Sequence, residues 1–310
     1  MKVPATTGLA RAPAEPPPLR VVWPTVNVAD LGAVVAGFRA NGHVVVRGVV
    51  PLDVIDMVCS DIAAVFALQA RRLGVAEPDD ASREQVLAVM QRVFDYDVSL
   101  WLAGVRHAAR LASVQRMALD ASMMRLLDAF GMVAPTLPTT PVLHVMADTL
   151  RVPGGYHGLA AHQDWPSIQG ALDSVAVWAP LYDVAEDGFP VELIPDSHRH
   201  GLWPGHTTHA ALEVDPSSFT DSDFVRVALN RGDAILFSGF TVHRSAVAGC
   251  HGLRLATSTR YEDSAEPTFV ERAWPCAYRR TVERALLQPG FPSAAQVGQA
   301  LAPRPARNTP

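Results

Sequence analysis

The sequence predicts a mainly β fold with supporting α-helices, its core a double-stranded β-helix of the jelly-roll type. Three observations carry this expectation. After Pro141 the chain becomes a succession of short apolar runs separated by turn residues, a spacing that suits a sandwich or barrel. Before about residue 130 the apolar residues recur at helical spacing instead. Within the strand-rich part, His162-Gln163-Asp164 and a distant His243 supply two imidazoles and one carboxylate, side chains that a barrel can gather from separate strands.

In order along the chain, residues 1–20 contain Pro4, Pro13 and the run Pro16 to Pro18 without an apolar stretch, and read as a flexible tail and not a signal peptide. Order is expected from Val21, in one domain over residues 21–300. Its helical part covers 29–130. Residues Ala29 to Ala40 carry helical spacing and end at Asn41-Gly42, a helix-stopping pair. Val44 to Val50 reads as a β-branched strand, and Pro51-Leu52-Asp53 opens a helix to about Arg72. Ser82 to Val93 and Val98 to Phe130 add further helix. The jelly-roll core is expected over 141–265, with strands at Val142 to Met146, Ser174 to Pro180, Val191 to Ile194, Phe224 to Leu229, Ala234 to Phe237 and Gly252 to Arg260. A C-terminal helical segment follows over 266–300, and Pro303 to Pro310 reads as a frayed end.

Composition narrows the function classes. Apolar residues are 49% and charged residues 18%, enough for a sizeable core. A net charge of −5 offers no basic face to a phosphate backbone, so nucleic acid is not an expected partner. Lys2 is the only lysine, which excludes Schiff-base chemistry in any folded core and leaves arginine as the carboxylate anchor. Cys59, Cys250 and Cys276 are widely spaced and odd in number, which fits neither a disulfide framework nor a zinc site, so a reduced, cytoplasmic setting is expected. No apolar stretch has the length of a membrane span.

The chemistry concentrates around the H-x-D tripeptide. In an extended strand, side chains two apart share a face, so His162 and Asp164 could grip one ion while His243 arrives from another strand. Taken alone, H-x-D fits any divalent metal, or simply a histidine and an aspartate near a turn. Two imidazoles and a carboxylate on one face of an octahedron describe a non-haem Fe(II) site, with three positions left for co-substrate and O2. Arg254 follows His243 by eleven residues in an apolar run, where a buried guanidinium needs an anion. The distal carboxylate of 2-oxoglutarate would supply one, with Ser245 donating to the same group. The other reading of Arg254 is a surface arginine paired with Glu262 or Asp263.

On these residues the chain resembles the phytanoyl-CoA dioxygenase-like (PhyH) family of Fe(II)/2-oxoglutarate-dependent oxygenases, over about residues 30 to 265. The resemblance rests on His43-Val-Val-Val-Arg-Gly-Val-Val50, His162-Gln163-Asp164, Val191-Glu-Leu-Ile-Pro-Asp-Ser-His198, Arg231-Gly-Asp-Ala-Ile-Leu-Phe237, His243-Arg-Ser245 and Arg254. It implies His162, Asp164 and His243 as metal ligands and catalytic centre, with Arg254 and Ser245 contacting 2-oxoglutarate. It also places Trp178 near the aromatic that such enzymes set beside the co-substrate. Two departures stand out. Asp196 occupies a turn position where the family usually has glycine, and Ala246-Val-Ala-Gly-Cys250 lacks an asparagine common after the second histidine. Asp164 itself favours oxygen transfer, because related halogenases replace this carboxylate by glycine or alanine.

His144, mid-strand, either faces the co-substrate or is a satisfied core histidine. Tyr156, His157, Trp165 and Gln169 flank the H-x-D and are candidates for the substrate mouth or for loop packing. The expected function is a dioxygenase that hydroxylates a small-molecule metabolite with Fe(II), 2-oxoglutarate and O2, releasing succinate and CO2. Two other readings stay open: a cupin-like isomerase or lyase that does not use 2-oxoglutarate, and an inactive binding barrel. The substrate and the oligomeric state are not legible.

Overall fold

The computed structural model describes residues 25–152, 158–207, 212–246, 252–275 and 290–302. The chain opens with a short strand β1 (Thr25–Asn27), then helix α1 (Leu31–Asn41) and strand β2 (His43–Arg47), which runs parallel to β1. Asp30 caps α1 by accepting from the Ala33 N–H at 2.9 Å, and Gly42 ends it in the left-handed region at φ 70°. A long helix α2 (Leu52–Leu73) follows, then α3 (Arg83–Tyr96), α4 (Val98–Ala108), α5 (Ala112–Ala118) and α6 (Ala121–Ala129). Short polar side chains set these boundaries: Asp97 accepts from the Ser99 and Leu100 N–H groups, and Asp120 from that of Ser122.

The strand-rich part comprises β3 (Pro135–Thr136), β4 (Val142–Met146), a one-turn helix α7 (Trp165–Ile168), β5 (Val175–Pro180), β6 (Val191–Leu193), β7 (Gly205–Thr207), β8 (Leu212–Val214), β9 (Val225–Val227), β10 (Ala234–Ser238), β11 (His243–Ser245) and β12 (Arg254–Asp263). Helices α8 (Pro267–Glu271) and α9 (Ala294–Leu301) follow. The large sheet runs β1-β2-β10-β5-β12, with β3 and β4 both paired to β12 on its outer edge. A smaller sheet runs β11-β6-β9, and β7-β8 form a third ladder. Residue 162 pairs with both His243 and Glu213, joining β8 to β11 and extending the small sheet.

Strand alternation explains how the two sheets face each other. On the large sheet, Val44, Val46, Val175, Val177, Leu236 and Leu255 point to one side and pack with the helices. Their neighbours Val45, Ala176, Trp178, Ile235, Phe237 and Ala256 point the other way, against Val191, Leu193 and Val227 of the small sheet. Both faces of β5 are therefore covered, which is why Val175–Pro180 reads as a continuous apolar run; β12 is buried along its whole length too, but its sequence mixes apolar with polar and charged side chains. Helix α2 contributes Val54, Ile55, Val58, Cys59, Ile62, Ala63, Phe66 and Ala70, an i, i+4 stripe that seals the outer face. Each large aliphatic or aromatic side chain fully buried there contributes roughly 1.5–3 kcal/mol.

The jelly-roll core stands, but among the described residues helix outweighs strand, 42% against 21%, so "mainly β" does not describe them. Apart from the ten-residue β12, the strands are two to six residues long, whereas the layer supporting them is built of whole helices. The expected strand at Phe224 to Leu229 is shorter, Val225–Val227, and β1, β3, β7 and β8 carried no readable signal in two or three residues each. No helix among the described residues is long and apolar enough to cross a membrane.

Candidate metal centre

His162 and His243 are directly opposed in the small sheet. The His162 N–H donates to the His243 carbonyl and the His243 N–H to that of His162, both at 3.0 Å. Such a pair sends both side chains to one face, and the two ring centroids lie 4.2 Å apart. Each Nδ1 sits against a backbone carbonyl, that of Ala160 at 2.8 Å and that of Thr241 at 2.9 Å. A carbonyl can only accept, so each Nδ1 carries the proton and each Nε2 lone pair is turned inward.

Asp164 completes the group, but not in an extended strand as the H-x-D spacing suggested. Its backbone is helical (φ −72°, ψ −37°), because α7 begins at the next residue, Trp165, with Pro166 in its first turn. The chain leaves the small sheet at Gln163, whose buried amide donates to the carbonyls of Gly201 (2.8 Å) and Phe240 (2.7 Å) and accepts from the Trp203 N–H (2.9 Å). That locked turn, and not strand periodicity, brings the carboxylate round. Asp164 Oδ1 lies 3.7 Å from His162 Nε2 and 4.0 Å from His243 Nε2. The three ligand atoms are within 4.8 Å of one another, and all three residues are buried.

A residue that sequence reasoning missed grips the same carboxylate. Arg260 donates from Nε to Asp164 Oδ2 at 3.0 Å and from Nη2 to Oδ1 at 2.8 Å, a two-pronged fork. Strand parity held the signal: Arg260 lies an even number of residues after Arg254 on β12, so both point inward.

Arg254, Ser245, Trp178 and His144 line one cavity with His162 and His243. Arg254 is 1% exposed, donates from Nη1 to the Phe189 carbonyl at 3.0 Å, and lies 5.9 Å from the Trp178 ring centre. It is not the surface arginine of the alternative reading. Ser245 Oγ accepts from the Leu159 N–H at 3.1 Å, which leaves its own proton available to donate. His144, opposite Ala256 on β12, has a buried Nε2 without a hydrogen-bond partner. A satisfied core histidine would not look so.

Electrostatics suits metal ligation. Burial lowers the pKa of His243 to about 3, helped by His162, and burial likewise lowers those of His162 and His144. The imidazoles are therefore neutral and have lone pairs to give. Burial alone would raise the Asp164 carboxyl, but the Arg260 guanidinium and then His243 outweigh it, and the group lies below the ordinary carboxylate range.

Two mouth candidates fall elsewhere. Trp165 is 2% exposed, stacks on Phe240 at 5.5 Å and donates its indole N–H to the Gly170 carbonyl; it belongs to the main core and not to the cavity. Its adjacency to Asp164 suggests the mouth, but α7 turns it the other way. Gln169 ends α7 at φ 56° and bonds locally to the Pro166 carbonyl. Tyr156 and His157 lie outside the described residues. Asp196 does adopt the left-handed turn position, φ 58°, at which glycine was expected.

The donor set, two neutral imidazoles and an ionised carboxylate, fits a divalent iron, and the lone polar Nε2 of His144 beside it fits an oxygen-bearing ligand. The sequence model of the phytanoyl-CoA dioxygenase (PhyH) family matches residues 38–248. The chain belongs to this family. No curated protein matches it. Among solved structures it is similar to "non-heme monooxygenase; ThoJ apo" (16% identity, 75% of this chain and 78% of that one, TM-score 0.49). It is also similar to the non-heme alpha ketoglutarate dependent epimerase SnoN from nogalamycin biosynthesis (19% identity, 76% and 84%, TM-score 0.45). A third is AviO1 from Streptomyces viridochromogenes Tue57 (16% identity, 77% and 97%, TM-score 0.41). As a PhyH member with this His–Asp–His cluster, the protein is an Fe(II)/2-oxoglutarate-dependent enzyme of the oxygenase type.

Proposed function

We propose that the protein hydroxylates a small-molecule metabolite, consuming 2-oxoglutarate and O2 and releasing succinate and CO2. The observation that supports this most is that the two imidazoles of a buried His–Asp–His group line one cavity with an arginine of opposite charge to a dicarboxylate. His162, Asp164 and His243 would hold Fe(II). When bound, iron with 2-oxoglutarate supplies the activation of O2 and the removal of a substrate hydrogen.

The protein's part is to bind, orient and keep water out. The Ala160 and Thr241 carbonyls hold both imidazoles in the ligating tautomer. Arg254 would receive the distal carboxylate of 2-oxoglutarate, Ser245 would donate to the same group, and Trp178 would wall its chain. His144 Nε2 would contact an oxygen of the co-substrate. Asp164 occupies a metal position that halide would need, which favours hydroxyl transfer over halogenation. Residues 21–300 are read as a single domain, and the cytoplasm, from the cysteine usage, as its location.

A small, polar or uncharged substrate agrees with the region around the iron strand and its following loops, where Arg199 is the only cation between Arg151 and Arg226. A CoA thioester would want several cations near its phosphates. The test is succinate release by the purified protein with Fe(II) and 2-oxoglutarate, first without substrate and then across a panel of metabolites, with the product identified by mass. Turnover that gains one oxygen in the product supports hydroxylation. Absence of both turnover and 2-oxoglutarate binding refutes the reading.

A further inference from the structure

Arg260 has no role in the functional reading above, yet it donates to both carboxylate oxygens of Asp164, one of the three side chains that would hold the metal. We propose that Arg260 is a positioning residue that restricts Asp164 to one-oxygen ligation of the metal. The inference rests on the Fe(II) reading and deepens it.

The geometry carries the argument. Arg260 is 8% exposed, on β12 opposite Ala176 of β5, a small partner that leaves room for an inward guanidinium. Its Nε and Nη2 take Oδ2 and Oδ1 of Asp164 together, at 3.0 and 2.8 Å. A fork of this kind fills the mouth between the two carboxylate oxygens, using the lone pair that each turns toward the other. A cation chelated by both oxygens would need that same mouth.

What remains is the outer lone pair of Oδ1, the oxygen 3.7 and 4.0 Å from the two Nε2 atoms. A metal held by both imidazoles therefore meets one carboxylate oxygen and leaves the other with the guanidinium. The consequence is a count of positions. Three single-atom ligands on an octahedron leave three places, enough for a chelating 2-oxo acid and O2, whereas a chelating carboxylate would take one of them. A lysine at 260 would supply charge without the fork.

The experiment uses full-length Arg260→Lys and Arg260→Gln beside the wild type under anaerobic conditions, with circular dichroism confirming the fold. Fe(II) alone is titrated first, then 2-oxoglutarate is added and the visible charge-transfer absorbance of its chelate is read; Co(II) substitution reports coordination number. Expected is a roughly 10- to 100-fold loss of Fe(II) affinity in both variants, the cost usual for a residue that orients a metal ligand. The chelate absorbance should fall with it, and in a third variant, Arg260→Ala, which shows the same losses, methylguanidine should partly restore both. Three results overturn the proposal: wild-type behaviour of Arg260→Lys, which makes charge alone sufficient; unchanged Fe(II) affinity in Arg260→Gln; or a loss confined to 2-oxoglutarate affinity, which makes Arg260 a co-substrate contact. A wild type that binds no Fe(II) fails the functional reading itself and is told apart by the first titration.

Discussion

The His162 and His243 backbones exchange both of their hydrogen bonds, each 3.0 Å long, so the two imidazoles are neighbours because of the ladder and not because of any contact between the rings. Truncating either side chain leaves that ladder in place. His162→Ala and Asp164→Ala are accordingly expected to stay folded by circular dichroism while Fe(II) binding and Fe(II)-dependent succinate release disappear. Full activity in either variant would remove it from the metal centre.

Arg254→Ala should separate co-substrate from metal. Loss of a buried, charge-assisted hydrogen bond is worth about 2 kcal/mol, or roughly a 30-fold rise in the apparent KM for 2-oxoglutarate. Fe(II) affinity should be largely kept, because Arg254 touches none of the ligating atoms. An unchanged dependence on 2-oxoglutarate excludes Arg254 from the site.

Glu262 offers a measurable pH signature away from the metal. Its carboxyl lies against Gly170, where an added Cβ would stand 1.7 Å from Oε1, and burial pushes its pKa from 4.5 up to about 8 with Arg272 opposing in part. Between about pH 4.5 and 8 the folded chain keeps this proton while the unfolded chain releases it, so stability falls as pH rises through that window. Glu262→Gln stays neutral and should flatten this part of the pH dependence, most visibly as a higher relative Tm near the alkaline end. Parallel Tm–pH curves for the two proteins would show that the proton is not retained on folding.

Gly42→Ala should be markedly destabilising. Gly42 sits at φ 70°, which costs other residues about 1 kcal/mol or more, and its Cβ would lie 2.1 Å from Nδ1 of the buried His198 ring. A fall in Tm beyond the conformational cost alone is expected in thermal melts. A Tm within a degree of wild type would mean that the ring moves away freely.

Much of this protein is legible one residue at a time. The stop of α1 at Asn41-Gly42 and the start of α3 at Ser82 were legible, since capping is local chemistry read from a few neighbouring residues, whereas the single run expected over Val98 to Phe130 divides into α4, α5 and α6. Strand β4 coincides with the expected Val142 to Met146, and short runs between turn residues marked β5, β10 and β12. That His162, Asp164 and His243 belong together was also visible, because H-x-D and a later His-x-Ser are compact signals, and the structure does bring the three together. Tertiary structure decided the rest. Asp164 reaches the imidazoles through a turn locked by Gln163, with partners 38 and 77 residues away. Trp165, adjacent to Asp164 in sequence, is carried into the core by the same turn. Arg260 meets Asp164 across 96 residues, a pairing that exists only once β12 lies inside the barrel. Sequence determines which groups are available and which face of a strand they take; only closure of the two sheets, which desolvates the charges and makes each seek a partner, decides which of them meet.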